Sequence, residues 1–433
     1  LIKDAEAIGK IISQRTLPTL TVNKPVTPAP INTQTNPIIE NLQLNINGRM
    51  PTSCKLLNGN SVIVYSKNDC KPFGIIVNSS GQIIKNEFSL LNLPAQGTTS
   101  SLDYTVNLQV NPLNDGGFIV SGYGATSGDT VPYTNSDFRG NFYQKYNSDG
   151  QKNGNLVITH SNNSANWSYG DNSFVLLEDG SSISTGHFGN GAWNIKASYV
   201  SQSGAIISEN VQVSQSGTAV NPRIILSNDQ KTSLFVWTKF NGDSSGSAVY
   251  ARLLDNINKS FLTDEFQINE FQNGNQGGII GGYEKMFYAL QANSDGSFMI
   301  LYNSENGDSN NAAILGRKLS LNNGQKVLSS ETIINSIQTN NELYPCITKL
   351  SDNKYFINYS SSGNAKTSIY GKVVDGNFNV IKEDFLICET NINPLYAASS
   401  LMDTNKLLLN FDTYNGTPDI SIDAPIKSYI VNL

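Results

Sequence analysis

Residues 225–237, ILSNDQKTSLFVW, and residues 249–269, VYARLLDNINKSFLTDEFQIN, decide the fold of this chain. Each segment has an apolar run, a short polar turn, and a second run in which apolar and polar side chains alternate. Such alternation around a tight turn predicts a β-hairpin. Two consecutive hairpins predict an antiparallel unit of four strands, which we label a to d along the chain.

The same pair of hairpins recurs along the chain. The first hairpin is found seven times, beginning at Leu56, Asn111, Val175, Ile225, Leu290, Lys349 and Ser400. The second hairpin follows six of these copies, beginning at Phe73, Asn141, Ile195, Val249, Ile314 and Ile369. The turn centres lie roughly 50 to 66 residues apart, a spacing that suits a four-stranded propeller blade with its loops.

The last unit is incomplete, because its third strand, KSYIVNL, ends at Leu433. The segment 36–46, NPIIENLQLNI, resembles the fourth strands of the other units and has no unit of its own. We therefore predict an all-β, seven-bladed β-propeller over residues 36–433, which residues 36–46 close as the outer strand of the last blade. The alternatives are an open tandem array and a pair of β-sandwiches.

Residues 1–35 differ from the repeats in composition. Apolar residues at the start have helical spacing and predict a short amphipathic helix over residues 1–14, namely Leu1, Ala5, Ile8, Ile11 and Ile12. The Pro/Thr-rich stretch 17–36 predicts an extended linker. A helix this short is marginal alone, so we expect it to dock on a partner or on the propeller, or to be the end of a preceding domain.

The charge and hydropathy of the chain exclude several classes of protein. The net charge is −6 and the pI is about 5.1, and no run of Lys or Arg occurs, so nucleic acid is not an expected partner. No apolar run reaches about 18 residues, so no membrane span is predicted. The sequence starts at Leu1 rather than Met, which we interpret as a processed or partial chain. The expected location is extracellular or at the cell surface.

The best-preserved unit resembles a known repeat. Its segments 221–237 and 249–269 carry six residues of that repeat, namely Val249, Tyr250, Arg252, Glu265, Phe266 and Asn269. The repeat is found in large bacterial secreted proteins of the haemolysin-type, calcium-binding repeat class. The resemblance extends over nearly the whole ring and implies an extracellular propeller module. The Gly/Asp nonapeptides that bind calcium in that class are absent here, so the resemblance implies no calcium site.

The longer connections join strands b to c and d to a, and therefore share one face. Four aromatic or imidazole side chains near the third unit are candidate ligand-binding residues, because such rings stack on sugars or anchor protein partners: Trp167, Tyr169, His187 and Trp193. The alternative is that these rings cover the gap between neighbouring blades. The acidic, Asn-rich loops 128–141 and 305–311 offer oxygen ligands for calcium but lack the spacing of a known loop. No cofactor or metal site is predicted.

The four cysteines do not form a C-x-x-C pair, so a zinc site is not expected. Cys54 and Cys70 belong to the first unit and both lie toward the face with the long connections, so a disulfide between them is predicted. Cys346 and Cys388 lie about three strand spacings apart, near 14 Å, and are predicted to be free thiols.

The sequence offers no motif for catalysis. The two histidines, His160 and His187, lie outside known catalytic patterns, and the acidic residues cluster in turns and outer strands rather than as a carboxylate pair. We therefore predict no catalytic residues and no enzymatic activity. The expected function is an extracellular structural or interaction module, a subunit of a surface or filamentous assembly that binds protein partners, including copies of itself, through its loops and N-terminal segment. A glycan-binding lectin or adhesin is the alternative, and a propeller glycoside hydrolase is a further one.

Overall fold

The computed structural model describes residues 36–67, 71–91, 106–126, 138–161, 172–189, 193–277, 288–308, 312–338, 340–363, 366–391, 397–413 and 424–433. Residues Pro37–Leu433 form one compact unit. All long regular elements in the described ranges are β-strands, and no helix occurs in them. The helix predicted for residues 1–14 and most of the linker lie outside the described residues.

The described ranges contain thirty strands. The first thirteen are β1 Ile38–Leu42, β2 Asn47–Lys55, β3 Ser61–Ser66, β4 Pro72–Val77, β5 Ile83–Ser89, β6 Val106–Pro112, β7 Phe118–Thr126, β8 Phe138–Tyr146, β9 Val157–Ser161, β10 Asn172–Leu176, β11 Ser182–Phe188, β12 Asn194–Val200 and β13 Ile206–Gln212. The next ten are β14 Ala219–Leu226, β15 Thr232–Lys239, β16 Ala248–Asp255, β17 Ser260–Phe261, β18 Phe266–Gln267, β19 Tyr288–Ala292, β20 Phe298–Ser304, β21 Ala313–Asn322, β22 Gln325–Leu328 and β23 Thr332–Ile333. The last seven are β24 Asn341–Ser351, β25 Lys354–Ser362, β26 Thr367–Val374, β27 Val380–Thr390, β28 Ala397–Asp403, β29 Lys406–Asp412 and β30 Ala424–Asn432.

These strands form an all-β propeller. Five sheets are blades of four or five consecutive strands, β6–β9, β10–β13, β14–β18, β19–β23 and β24–β27. The sixth sheet has eight strands in the order β28-β29-β30-β2-β3-β4-β5, with β1 also paired to β30. The prediction of a seven-bladed propeller is therefore wrong for the described residues, which form five separate blades and one larger sheet, because β2 pairs with β30 at two positions and joins the two ends of the chain.

The strand predicted within residues 36–46 is present and meets the end of the chain. β1 pairs antiparallel with β30 over five residue pairs, from Ile38–Asn432 to Leu42–Ser428. Ile39 and Tyr429 pack on a core cluster that includes Leu407 and Val431. The outer edge of β30 is thus covered by the other end of the same chain, which removes an exposed strand edge.

The turns between the first two strands of each blade use short polar side chains to hold the backbone. Asp115 accepts a hydrogen bond from the Gly117 amide at 2.9 Å, and Asp295 accepts one from the Ser297 amide at 3.0 Å. Gly116 and Gly296 have φ values of 90° and 81°, which glycine adopts at little cost. The Asn/Asp/Gly turns of the sequence therefore form tight hairpin turns, as predicted.

A repeated polar contact joins neighbouring blades. A basic residue on the third strand donates to a backbone carbonyl of the preceding blade: Arg252 to Val213 at 3.0 Å, Arg317 to Ile268, and Lys372 to Ile334 at 2.8 Å. A carboxylate of the outer segment accepts from a backbone amide or amides of that preceding blade: Glu265 from Gln215 at 2.8 Å, Glu331 from Phe271 at 2.9 Å, and Asp384 from Ser336 at 2.9 Å. Arg252 and Glu265 of the repeat motif are therefore blade-joining residues.

Each blade also buries apolar side chains against the next. Trp237 and Phe235 of β15 are fully buried and pack with Ile183 and Tyr199 of the preceding blade.

No helix in the described part of the chain is long and apolar enough to cross a membrane.

Candidate functional site

One end of the propeller axis is built where the innermost strands begin and the second strands end. We call this end the axial rim and define it by residues on five strands: Arg49 and Met50 on β2, His187 on β11, Asn221 on β14, Glu342 and Tyr344 on β24, and Asp412 on β29. Because consecutive strands of a blade are antiparallel, the connections after the second and fourth strands leave from this same end.

Three innermost strands carry the same backbone irregularity at the axial rim. Met50, Asn221 and Tyr344 have φ values of 49°, 55° and 59°, in the left-handed region. Each stands directly before a proline, namely Pro51, Pro222 or Pro345. Each lies in a β-bulge, where the pairing skips from Arg49 to Thr52, from Val220 to Arg223, and from Leu343 to Cys346. A left-handed residue other than glycine is unusual, and bulges and strained backbone concentrate beside functional sites.

Side chains at the ends of two second strands hold two of these bulges. Asp412 accepts a hydrogen bond from the Met50 amide at 2.8 Å, and Asn303 accepts one from the Tyr344 amide at 3.2 Å. Asp412 and Asn303 both stand at the ends of second strands. The matching positions of the other units are also polar and buried, namely Ser66, Tyr123, His187, Thr238 and Ser360. A ring of buried polar groups therefore lies behind the bulges.

The side chains of two bulges meet near the axis. Tyr344 packs with Ala398 of β28, and Met50 and Leu343 pack against this pair. Tyr344 is 8% exposed. The innermost strands β2, β24 and β28 thus converge on one small cluster, and the Tyr344 phenol belongs to it.

Charged groups are buried at the axial rim. Arg49 and Asp412 are each 4% exposed, and Glu342 is fully buried. Ser361 donates to Glu342 at 2.8 Å, and the Asn335 amide donates to it at 3.4 Å. Burial raises the pKa of Glu342 from 4.5 to about 7; the Ser361 bond opposes this rise, and the nearby Asp308 carboxylate adds to it. Glu342 therefore changes charge near neutral pH.

Two of the predicted ligand-binding residues come together. The rings of His187 and Trp193 lie 5.6 Å apart between centroids and are tilted by 35°. His187 is buried in the polar ring, and Trp193 is half-buried. The Trp193 carbonyl accepts a hydrogen bond from the Ala219 amide of the next blade at 2.8 Å, so this loop lies over a junction between blades. Trp167 and Tyr169 lie outside the described residues.

The cysteines differ in part from the prediction. Cys54 is a buried free thiol, and burial raises its pKa to about 12. Cys70 lies outside the described residues, and the structure gives the predicted Cys54–Cys70 disulfide no support. Cys346 and Cys388 are free, which confirms that prediction.

The calcium interpretation stays a prediction. Most of loop 128–141 and the end of loop 305–311 lie outside the described residues. In the ranges that are described, no three His, Cys, Asp or Glu side chains are grouped so that they could hold a metal ion.

Arg49, Glu342 and Tyr344 were not among the predicted site residues. The available signal was the recurrence of proline in innermost strands at Pro51, Pro222 and Pro345, since proline inside a strand marks an edge or a bulge. Hairpin periodicity alone does not distinguish such positions from the rest of the strand.

The opposite end of the axis is formed by the tight turns between first and second strands. Their polar side chains bond to their own turns, as Asp229 accepts from Ser227 at 2.7 Å and Asp179 accepts from the Ser181 amide at 2.9 Å. The axial rim is therefore the better candidate for binding, since its bulges and longer connections are the irregular part of the repeat.

Comparison with known proteins gives the fold. No known protein family matches the chain, and no curated protein does, so the resemblance to haemolysin-type repeats gains no support, although the propeller is confirmed. A crystal structure of a protein of unknown function from Dyadobacter fermentans shares 10% identity and covers 91% of this chain and 99% of that one, with a TM-score of 0.51. An ulvan lyase, described as a new family of polysaccharide lyase, shares 11% identity and covers 91% and 96%, with a TM-score of 0.61. The same lyase bound to -[GlcA(1-4)Rha3S]- has a TM-score of 0.59.

These likenesses correct two predictions. A structural module was expected, with no enzymatic activity. A solved structure that has this fold over nearly the whole chain is a polysaccharide lyase, and the expectation of a non-catalytic assembly subunit or adhesin is withdrawn on that finding. At 10–11% identity the likeness gives the fold and not the reaction.

Proposed function

We propose that this chain is a carbohydrate-active enzyme that binds a polysaccharide across the axial rim and cleaves it. The observation that carries the proposal is the left-handed residue before proline, repeated at Met50, Asn221 and Tyr344. A residue before proline favours extended backbone, so a left-handed conformation there costs conformational free energy. Three such residues at one end of the axis are explained if that end is a binding site. A propeller of the same fold that is a polysaccharide lyase supports the substrate class.

The groups at the axial rim suit proton transfer on a sugar. Glycosidic cleavage needs an acid or base beside the scissile bond, and positioned His or Tyr side chains typically contribute 10²–10⁴-fold. His187 and Tyr344 are the candidates, because both stand at the axial rim and an imidazole or a phenol can give and take a proton.

Two further groups suit substrate binding. Arg49 places a guanidinium at the axial rim, and a guanidinium pairs well with a sugar carboxylate or sulfate. Trp193 presents a half-buried indole beside His187, and aromatic rings of this kind stack on sugar faces. The guanidinium favours an anionic polysaccharide over a neutral one.

The test is depolymerisation of a panel of neutral and anionic polysaccharides, followed by size-exclusion chromatography, reducing-end release and the ultraviolet absorbance of unsaturated uronates. Tyr344→Phe keeps the packing of the ring and removes its hydroxyl. We expect this variant and His187→Gln to lose about 10²-fold or more in rate. The control is Tyr355→Phe, a buried tyrosine at the far end of the next strand, which should keep full activity.

Absence of cleavage and of binding across the panel would overturn the proposal. Wild-type rates in both Tyr344→Phe and His187→Gln, equal to the rate of the control Tyr355→Phe, would also overturn it. Ultraviolet-absorbing products would identify elimination, and their absence with rising reducing ends would identify hydrolysis.

A further inference from the structure

Two junctions between blades can be compared position by position within this chain. Gln276 bridges to Ser304 at the end of β20, and Glu342 pairs with Ser361 near the end of β25. The backbone N–H of Gln276 donates to the Ser247 carbonyl, and the backbone N–H of Glu342 donates to the Ala312 carbonyl. Residues 247 and 312 each stand directly before the third strand of the blade. Gln276 and Glu342 therefore occupy equivalent sites, one neutral and one ionisable.

The surroundings of the two side chains match closely. Asn269 donates to Gln276 at 3.2 Å, to Asp243 at 3.3 Å and to the Phe271 carbonyl at 2.8 Å. At the second junction, Asn335 donates to Glu342 at 3.4 Å, to Asp308 at 3.2 Å and to the Ile337 carbonyl at 2.7 Å. One amide group thus lies between two acidic side chains where Glu342 replaces Gln276.

We propose that Glu342 is a positioning residue that holds the beginning of β24 in its protonated form and releases it when it ionises. A protonated carboxyl has the charge of the glutamine at the equivalent junction. An ionised Glu342 is fully buried beside the Asp308 carboxylate. Its side-chain donors are the Ser361 hydroxyl and the Asn335 amide, and Asp308 shares the second of these. Desolvation and like-charge repulsion both oppose that state.

The titratable groups that act on Glu342 within the described residues are few. Asp308 lies on the connection after β20 and raises the pKa of Glu342. Tyr359 on β25 neighbours Glu342 and also Asp384, which is paired with Lys372 at 3.3 Å. Burial first, and then the neighbouring carboxylates, raise the pKa of Tyr359, so this phenol stays neutral through the range in which Glu342 titrates.

The consequence reaches the axial rim because Glu342 stands two residues before Tyr344. Leu343 and Tyr344 form the bulge whose amide is held by Asn303 at 3.2 Å. Ionisation of Glu342 therefore loosens the segment that positions the Tyr344 ring. For polysaccharide cleavage this rests on the proposed function, and the rim is then predicted to act best at mildly acidic pH.

The direction of the pH effect follows from linkage. A carboxyl whose folded-state pKa is raised stabilises fully below its unfolded value near 4.5 and loses that contribution as the pH rises through about 7. The experiment compares wild-type protein with Glu342→Gln, by hydrogen–deuterium exchange over residues 340–344 and by thermal unfolding, at about pH 5 and about pH 8. Residues 274–277 serve as the internal control.

We expect exchange of residues 340–344 in the wild type, corrected for intrinsic rates, to be roughly tenfold or more faster at the higher pH. Glu342→Gln should remove this difference and extend any polysaccharide cleavage to alkaline pH. Equal pH dependence of exchange and unfolding in wild type and Glu342→Gln would overturn the inference.

The reciprocal variant keeps the test decisive if Glu342→Gln does not fold. Gln276→Glu should introduce the same alkaline increase in exchange at residues 274–277, and an unchanged profile there would contradict the inference. These readouts need no substrate. Absent cleavage with pH-dependent exchange would refute only the proposed function, whereas cleavage whose pH profile Glu342→Gln leaves unchanged would refute only the inference.

Discussion

Substitution of Lys372 by methionine tests how the blades are held together. Lys372 and Asp384 form an ion pair at 3.3 Å, and their side chains are 5% and 3% exposed. Lys372 also donates to the Ile334 carbonyl and to Ser336, each at 2.8 Å. Lys372→Met fills the same space but leaves the Asp384 carboxylate buried without its cation, and two acceptors without a donor.

Removal of one partner from a buried pair typically costs about 3–5 kcal/mol, and we expect a loss in this range for Lys372→Met. Replacement of both partners, Lys372→Met with Asp384→Leu, should cost less than the single change, because no charge is then left buried. Lys318→Met is the matched control. Its partner Asp295 is 58% exposed, and pairs of this kind contribute about 0–1 kcal/mol.

The assay is urea unfolding followed by tryptophan fluorescence, to which the buried Trp237 contributes. A loss below about 1 kcal/mol for Lys372→Met, no larger than that of Lys318→Met, would refute the assignment of this pair to blade junctions.

Three further predictions concern closure, thiols and acid stability. Ile39→Asp should destabilise the protein by about 2–3 kcal/mol, because Ile39 packs on the cluster that contains Leu407 and Val431. The control Ile38→Asp changes a position that is 65% exposed and should have almost no effect on stability. Equal melting temperatures for the two variants would contradict closure by β1. In a Cys70→Ser background, thiol reagents should label the native protein slowly and the unfolded protein fast. The reason is that burial raises the pKa of Cys54 to about 12 and that of Cys388 to about 11, so that little reactive thiolate is present. Rapid labelling of the native protein would contradict the prediction. Burial opposes ionisation of Glu265, but hydrogen bonds from Lys239, the Gln215 amide and Ser216 hold its pKa below 4.5. A carboxyl with a lowered pKa stabilises the folded protein above its unfolded pKa, and this stabilisation is lost as the pH falls. Lys239→Met should therefore unfold at a higher pH on acid titration, and an unchanged acid midpoint would count against this prediction.

Much of the fold was predictable because hairpins are local. The turns at Asp115 and Asp295 carry their own hydrogen bonds, so their residues identify them without tertiary information. The strand within residues 36–46 was predictable because it resembles the outer strands and the last unit lacks one. The number of separate sheets was not predictable, since the pairing of β2 with β30 at Gly48–Ala424 joins residues from opposite ends of the chain.

The candidate site was harder to predict for a physical reason. His187 and Trp193 stand out by residue type, and the structure brings them together. Glu342 and Tyr344 have no motif, and their properties arise from burial and from the neighbouring blade. Asn303, which holds the Tyr344 amide, lies 41 residues away in sequence. The prediction of no enzymatic activity depended on missing motifs, and motifs do not transfer between unrelated sites on one fold.

The most direct test of the axial rim as the carbohydrate site is a crystal structure of the protein with an oligosaccharide from the panel. We predict that the sugar lies over Met50, Asn221 and Tyr344, at the end where the innermost strands begin. A sugar bound instead at the tight turns of the opposite end, beside Asp179 or Asp295, would contradict the account.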